Sequence, residues 1–233
     1  GTGSQNFNLY QDFNFENTLN YTLKTGVHDL GLLGGFQLHE RNTQGQYYWG
    51  NRFPEYLREF IYNLSENPNQ VFRKEILREL SYFGRAIYTL DNKYTVMGVF
   101  RYNGSSALDP GKKWGFFPGV SASWNIKNEN FLADSNVISD LKLRGGWGKT
   151  GNASGIPPYS HFNLERLNQE GPNGSYSTYQ WASDIGWEVT TDSNFGVDVA
   201  FAHNRIKLTA DFYKRVTDDL IMPIEMGQIG NIL

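Results

Sequence analysis

The run Gly145-Gly146-Trp147-Gly148-Lys149-Thr150 ends like a phosphate-binding loop, in which backbone amides cradle a phosphate and the lysine neutralises it. That pattern requires a glycine at position 143, where the chain has Leu143. The run also leads from a strand-like stretch into a polar one and opens no helix, so nucleotide binding is set aside. His28, His39, His161 and His203 are isolated from one another, with no pair four residues apart, and the chain has no cysteine. A metal centre is therefore not expected. Asp218-Asp219 lies where a strand-like run ends, which suits a solvated pair better than an acid/base couple. No Gly-x-Ser-x-Gly elbow is present, and Asn103-Gly104-Ser105 is turn chemistry. The expectation is a protein that is not an enzyme, with no catalytic residue and no cofactor.

Aromatic clusters are the better candidates for ligand contact. Tyr47-Tyr48-Trp49 and the set Tyr176, Tyr179 and Trp181 fall in two long polar stretches, where rings could stack on sugar faces. The plainer account is that they pack loops together or anchor at the lipid headgroups, as Trp and Tyr do in outer-membrane girdles. Trp114, Trp124 and Trp147 fall on strand-like runs and are assigned to girdle or wall.

Composition says what must hold these groups. A formal net charge of -3 does not favour nucleic acid, which calls for a basic domain. Aromatics make up 15% of the chain and glycine is abundant, which favours strands over helices. No apolar run reaches the roughly 18 residues of a transmembrane helix. The mean hydropathy of -0.52 would ordinarily indicate a soluble protein. A transmembrane barrel gives the same average, because its strands alternate lipid-facing with lumen-facing residues. Gly1 to Tyr10 has neither the basic start nor the apolar core of an export signal, so the chain is expected to be a segment of a longer protein.

Period-two alternation recurs along the chain. Phe13, Phe15, Leu19, Tyr21 and Leu23 oppose Asn14, Glu16, Thr18, Asn20, Thr22 and Lys24, predicting a strand over about 12–25. A turn at 26–29 leads into Leu30, Leu32, Gly34, Phe36 and Leu38, a strand to about 41. The stretch 42–78 predicts a long loop, with a short helix after Pro54 marked by Leu57, Phe60, Ile61 and Leu64. Further strands are predicted at 81–90, 93–102, 114–126 and 141–149. A helical turn is expected near Phe131-Leu132 and a second long loop over 150–186. A final hairpin sets Phe195, Val197, Val199 and Phe201 against Ile206, Leu208, Ala210 and Phe212. Eight strands of about ten residues, joined alternately by short turns and longer loops, fit an all-β, antiparallel transmembrane barrel. Arg85, Lys142, Arg144, Lys207 and Asp211 would then line a polar lumen. A soluble carbohydrate-binding β-sandwich is the alternative from the residues alone, although it favours shorter strands.

Four stretches narrow the choice. The chain reads SYFGRAIYTLDNKYTVMGVFRYNGSS at 81–106, WGFFPGVSASWNIKNENFL at 114–132, ISDLKLRGGWGKTGN at 138–152 and WEVTTDSNFGVDVAFAHNRIKLTADFYKRVTDDLI at 187–221. Their order and spacing closely resemble the barrel of the SusC/RagA family of TonB-linked outer-membrane transporters. The resemblance is strong over 81–221 and looser over 12–41. It implies a wide barrel of about 22 strands plugged by an N-terminal domain. It also implies energy supplied through TonB, a SusD-like surface lipoprotein as partner, and oligosaccharide (glycan) or peptide substrates. Nothing matching the plug, the TonB-contact segment or the terminal strands is visible, so residues 1–233 are expected to be a partial barrel set in outer-membrane lipid. A siderophore- or vitamin-type receptor on the same barrel is the alternative within this class.

Overall fold

The computed structural model describes residues 2–51, 69–160, 165–166, 177–178 and 184–221. Eight strands form one antiparallel sheet in the order β1-β2-β3-β4-β5-β6-β9-β10. They are β1 (Thr2–Thr25), β2 (His28–Asn51), β3 (Asn69–Leu90), β4 (Tyr94–Ser105), β5 (Trp114–Asn125), β6 (Ile138–Asn152), β9 (Glu188–Phe201) and β10 (Ile206–Asp218). Two short strands, β7 (Glu165–Arg166) and β8 (Ser177–Thr178), pair with each other. Among the described residues β1 and β10 are the free edges of the large sheet, which is an open arc and not a small closed barrel.

Alternation sorts the side chains onto two unlike faces. Phe15, Leu19, Tyr21 and Leu23 of β1 stand opposite Leu38, Gly34, Leu32 and Leu30 of β2. The same face continues through Tyr82, Ala86 and Tyr88, then Phe100 and Val96, then Phe116, Val120 and Trp124. It ends on Phe195, Val197 and Val199 against Phe212, Ala210 and Leu208. These side chains are open: Leu19 is 78% exposed and Phe212 70%. A sandwich would cover such a face with a second sheet. Among the described residues no second layer packs on it, and the few buried apolar side chains lie mostly in loops.

Rings mark the limits of the apolar face. Trp114 stacks with Tyr102 at 4.8 Å and Tyr82 at 6.4 Å near one rim, and Trp124 stacks with Tyr94 at 6.1 Å near the other. Both tryptophans lie on β5, at Trp114 and Trp124. Their spacing corresponds to about 33 Å along the strand, or about 25 Å along the normal at the usual tilt. That is the height of the apolar band of an outer-membrane barrel. Trp147 stands within the band, opposite Val120.

Connections separate by rim. Turns at Gly26-Val27, Asp91–Lys93 and Ala202–Arg205 lie on one rim with the β5–β6 connector, which holds the expected helical turn at Asn130–Ala133. Asp91 and Asn92 both have φ of 52°, as a tight hairpin turn requires. The longer connections lie on the opposite rim, which by the outer-membrane rule faces outside the cell.

The strands are longer than the expected ten residues. β1 and β2 have 24 each and β3 has 22, whereas β4 and β5 have 12. Much of the expected 42–78 loop is therefore strand: Asn42–Asn51 pairs with the start of β1, and Trp49 through Arg41 pair with Asn69 through Leu77. Above the lipid both faces of a sheet are wet, so the apolar alternation that marks a strand disappears while the hydrogen-bond ladder continues. For the same reason β4 extends through Ser105 and β6 through Asn152. The helix expected after Pro54 lies outside the described residues.

At the short-turn rim, Tyr94 Oη donates to Glu129 Oε1 at 2.5 Å, and Trp124 Nε1 donates to the same oxygen at 3.0 Å. These bonds hold the Glu129 carboxyl below its ordinary range. A depressed carboxylate stabilises the fold above its unfolded value, and that contribution is lost as pH falls through the lowered value. Glu129→Gln in the full protein should lower the thermal midpoint in detergent at pH 7. The gap from the unmodified protein should close as pH falls below about 4; a gap independent of pH would contradict this.

Candidate functional site

The second face of the sheet is polar and tied together across strands. His39 Nε2 meets Asp12 Oδ1 at 2.7 Å, and its Nδ1 meets Glu79 Oε2 at 3.0 Å. Arg41 Nε donates to Asp12 Oδ2 at 3.1 Å. One row nearer the short turns, Gln37 Nε2 donates to Asn14 Oδ1 at 3.0 Å, while Gln37 Oε1 accepts from Arg101 Nη2 at 2.9 Å. Arg101 also donates to Asn103 Oδ1 at 2.8 Å and Ser81 Oγ at 3.3 Å. This network crosses β1, β2, β3 and β4.

A second network crosses β6, β9 and β10. Arg144 Nε donates to Asp198 Oδ2 at 3.0 Å and its Nη2 pairs with Asp211 Oδ1 at 2.7 Å. Thr209 Oγ1 donates to Asp198 Oδ1 at 2.9 Å. Gly196 lies beneath this cluster. A Cβ there would come 2.6 Å from Asp211 Oδ1 and 2.7 Å from Arg144 Cζ, so the bare backbone leaves the ion pair room to cross the strand. Arg215 and Asp192 pair at 2.6 Å towards the loop rim. Of the expected lumen residues, Arg144 and Asp211 meet directly. Lys142 and Lys207 share their face by register, and Arg85 lines a cavity.

Two adjoining concavities mark this face. One, of about 510 Å³, is lined by residues including Leu33, Phe83, Arg85, Val99, Arg101 and Phe117. The other, of about 340 Å³, lies towards the loop rim and includes Gln37, His39, Glu79, Asn103, Asn152 and Trp187. Arg101, Asn103 and Gly151 border both. Phe117, lining the first, meets Trp187, lining the second, edge-on at 5.3 Å. A Cβ on Gly151 would fall 1.9 Å from its ring.

Loops at the rim are held by a small core of their own. Ala107, Leu108, Ile156 and Ile185 are buried together, with Leu77, Ala153 and Trp187 against them. The Ile185 N–H donates to Asp109 Oδ2 at 2.5 Å, and Lys112 Nζ pairs with Asp184 at 2.8 Å, which raises the lysine's pKa. Trp187 Nε1 donates to the Lys113 carbonyl at 3.2 Å, so its ring is fixed beside the upper concavity.

The aromatic candidates fare differently. Tyr47, Tyr48 and Trp49 lie on β2 and not in a loop, because the strand continues past the lipid level. Alternation puts Tyr47 and Trp49 on the polar side and Tyr48 on the other, where Gln70 Nε2 donates to Tyr48 Oη at 3.4 Å. Three adjacent rings on one strand cannot form one stacking platform. Tyr176, Tyr179 and Trp181 lie outside the described residues. Gly145–Thr150 is strand, not a phosphate loop, and Asp218 closes β10. Arg101 and Trp187 were not singled out from the sequence as ligand contacts. Arg101 carried one signal, its place opposite the apolar set Phe100 and Tyr102.

A single-layer sheet with one ring-bounded apolar face and one hydrogen-bonded polar face is the wall of a transmembrane β-barrel. The chain belongs to the TonB dependent receptor-like, beta-barrel family, whose model matches residues 1–232; these proteins are integral to the bacterial outer membrane. It is 41% identical over 155 residues to the TonB-dependent receptor SusC of Bacteroides thetaiotaomicron, covering 63% of this chain and 16% of that protein. It is 34% identical over 226 residues to TonB-dependent receptor P3 of Formosa agariphila, covering 93% of the chain and 22% of the relative. The chain thus spans under a quarter of the length of these relatives. The RagAB peptide importer in its closed-closed state superposes with a TM-score of 0.79 at 26% identity, over 97% of this chain and 26% of that one. Its open-open state gives 0.76 at 27%, with the same coverage.

Close approach of Phe117 to Gly151 gives a stability test. Gly151→Ala should destabilise the full protein by about 1–3 kcal/mol, the usual cost of overpacking, because the buried ring cannot swing clear. Gly31→Ala, which meets nothing within 4 Å, is the control. Equal thermal midpoints for the two variants would show that the ring moves freely.

Proposed function

We propose that this chain is part of the wall of an outer-membrane importer driven through TonB, which takes up an oligosaccharide or peptide together with a SusD-like surface lipoprotein. The observation that carries this reading is the polar face itself. It is neither a uniform porin-like charge lining nor a closed hydrophobic core, but a set of cross-strand networks bordering two concavities beneath a fixed rim of loops. Concave sites with a few convergent polar groups are what small-ligand recognition uses. Hydroxyl and amide groups of a sugar or a peptide backbone match donors and acceptors such as Gln37, Asn103 and Asn152. Likeness to the RagAB peptide importer supports peptides, and kinship with SusC supports the lipoprotein partnership. On this reading the wall binds and passes its cargo without making or breaking a covalent bond.

Deletion of the full gene, scored for growth on single peptide or glycan mixtures, tests the reading. Uptake of one mixture should be lost, restored by the intact gene, and abolished again when TonB is removed. A SusD-like lipoprotein should co-purify from detergent. Loss of growth only under iron or vitamin limitation, with no lipoprotein partner, would instead support the siderophore- or vitamin-type alternative.

A further inference from the structure

The main ion pairs of the polar face close within the wall. Arg41 and His39 are matched by Asp12 and Glu79, Arg144 by Asp198 and Asp211, and Arg215 by Asp192. The larger concavity breaks this pattern. Arg85 and Arg101 both border it, and among the described residues neither has a carboxylate partner. In register Arg85 faces Val99 and Arg101 faces Phe83, so the two arginines are diagonal neighbours about 7–8 Å apart. Leu33, Phe83, Val99 and Phe117 supply the concavity's apolar floor, with Asn103, Lys149 and Thr150 at its border.

Both side chains are exposed, and two like charges on neighbouring strands with no carboxylate beside them favour an anion from outside. Arg101 is also held ready for one. Its Nε and Nη2 are engaged by the neutral acceptors Asn103, Gln37 and Ser81, and its guanidinium lies 5.9 Å from the centroid of the Phe83 ring. Its Nη1 has no acceptor among the described residues. The fork is thus oriented while part of its donor capacity and all of its charge remain unspent. Planar guanidinium groups bind carboxylate and sulfate oxygens through paired, charge-assisted hydrogen bonds.

We propose that Arg85 and Arg101, over the apolar floor of the larger concavity, form a recognition site for an oxyanion carried by the imported nutrient. This rests on the import reading above and adds to it the chemistry of the cargo. A carboxylate could come from a peptide terminus or from a uronic acid; both present the same oxygens to the same fork. The adjoining concavity, with Gln37, Asn152 and Trp187, would hold the neutral part of the cargo, since Arg101 and Asn103 border both spaces.

The test uses the complete transporter with its lipoprotein in detergent, and matched probes that differ only in charge. One pair is a hexapeptide with a free or an amidated C-terminus. The other is an oligogalacturonate and its methyl ester. The acidic member of one pair should bind at least about 10-fold more tightly than its neutral twin, with the preference shrinking as salt is raised. The pair that shows it identifies the source of the anion. Arg85→Gln, a side chain with no described bond to lose, and Arg101→Gln should each erase most of that preference, and Arg101→Lys should keep part of it. If neutral members bind as well as acidic ones, the oxyanion site is refuted while the import reading stands. If no probe of any charge binds, both fall. If the variants lower the thermal midpoint and weaken acidic and neutral probes alike, the arginines serve a carboxylate of the transporter itself, and the proposal is overturned.

Discussion

In lipid, a peptide group without a hydrogen-bond partner costs several kcal/mol, and this requirement governs the rest of the molecule. It explains why the eight long strands form a single antiparallel ladder and why, among the described residues, so few side chains are buried in the usual sense. A soluble protein hides its apolar side chains under a second layer, whereas this sheet leaves Leu19 and Phe212 open because lipid covers them. It also gives meaning to the edges. Among the described residues β1 and β10 pair with nothing on their outer sides, and no strand can rest that way in a membrane. In the intact barrel both edges must be met by neighbours.

Within the lipid-spanning zone the fold was legible from sequence because alternation there is enforced from both sides. Phe195, Val197 and Val199 had to face lipid and Asp198 had to face water, so the period of two showed plainly. The same pressure ends where the lipid ends. Asn42 to Asn51 continues β2 through about five further repeats of the pleat, but Gln44, Gln46 and Tyr48 on one face are as polar as Thr43 and Gly45 on the other. No pattern of residue types could distinguish that strand from a loop. Tyr47, Tyr48 and Trp49 were misplaced for this reason, since rings in a presumed loop can converge whereas rings on a strand must alternate.

The polar networks were illegible for a different reason. His39 sits between Asp12 and Glu79, which are distant in sequence, and Arg144 reaches Asp198 and Asp211 across two strand junctions. These contacts depend on register, and a slip of one residue would turn every partner to the opposite face. The sequence showed which residues belonged to the wet face and not which of them touch. Glycine gave a similarly incomplete signal. Gly151 and Gly196 looked like ordinary strand glycines, but one makes room for the Phe117 ring and the other for an ion pair. Together these details turn a generic wall into one with two adjoining concavities and, among the described residues, a pair of arginines without a carboxylate partner.

The central claim is that the two faces of the sheet meet lipid and water respectively, and β5 allows a direct measurement. In the full protein, with any cysteine outside this chain replaced, single cysteines can be placed at Val120 and Ala122 on one face and at Ser121 and Ser123 on the other, then spin-labelled in bilayers. Collisions with oxygen, which concentrates in lipid, should be frequent at 120 and 122. Collisions with a water-soluble nickel chelate should be frequent at 121 and 123, so the two profiles alternate out of phase with a period of two. Equal access of the chelate to all four positions, or profiles without alternation, would contradict the account.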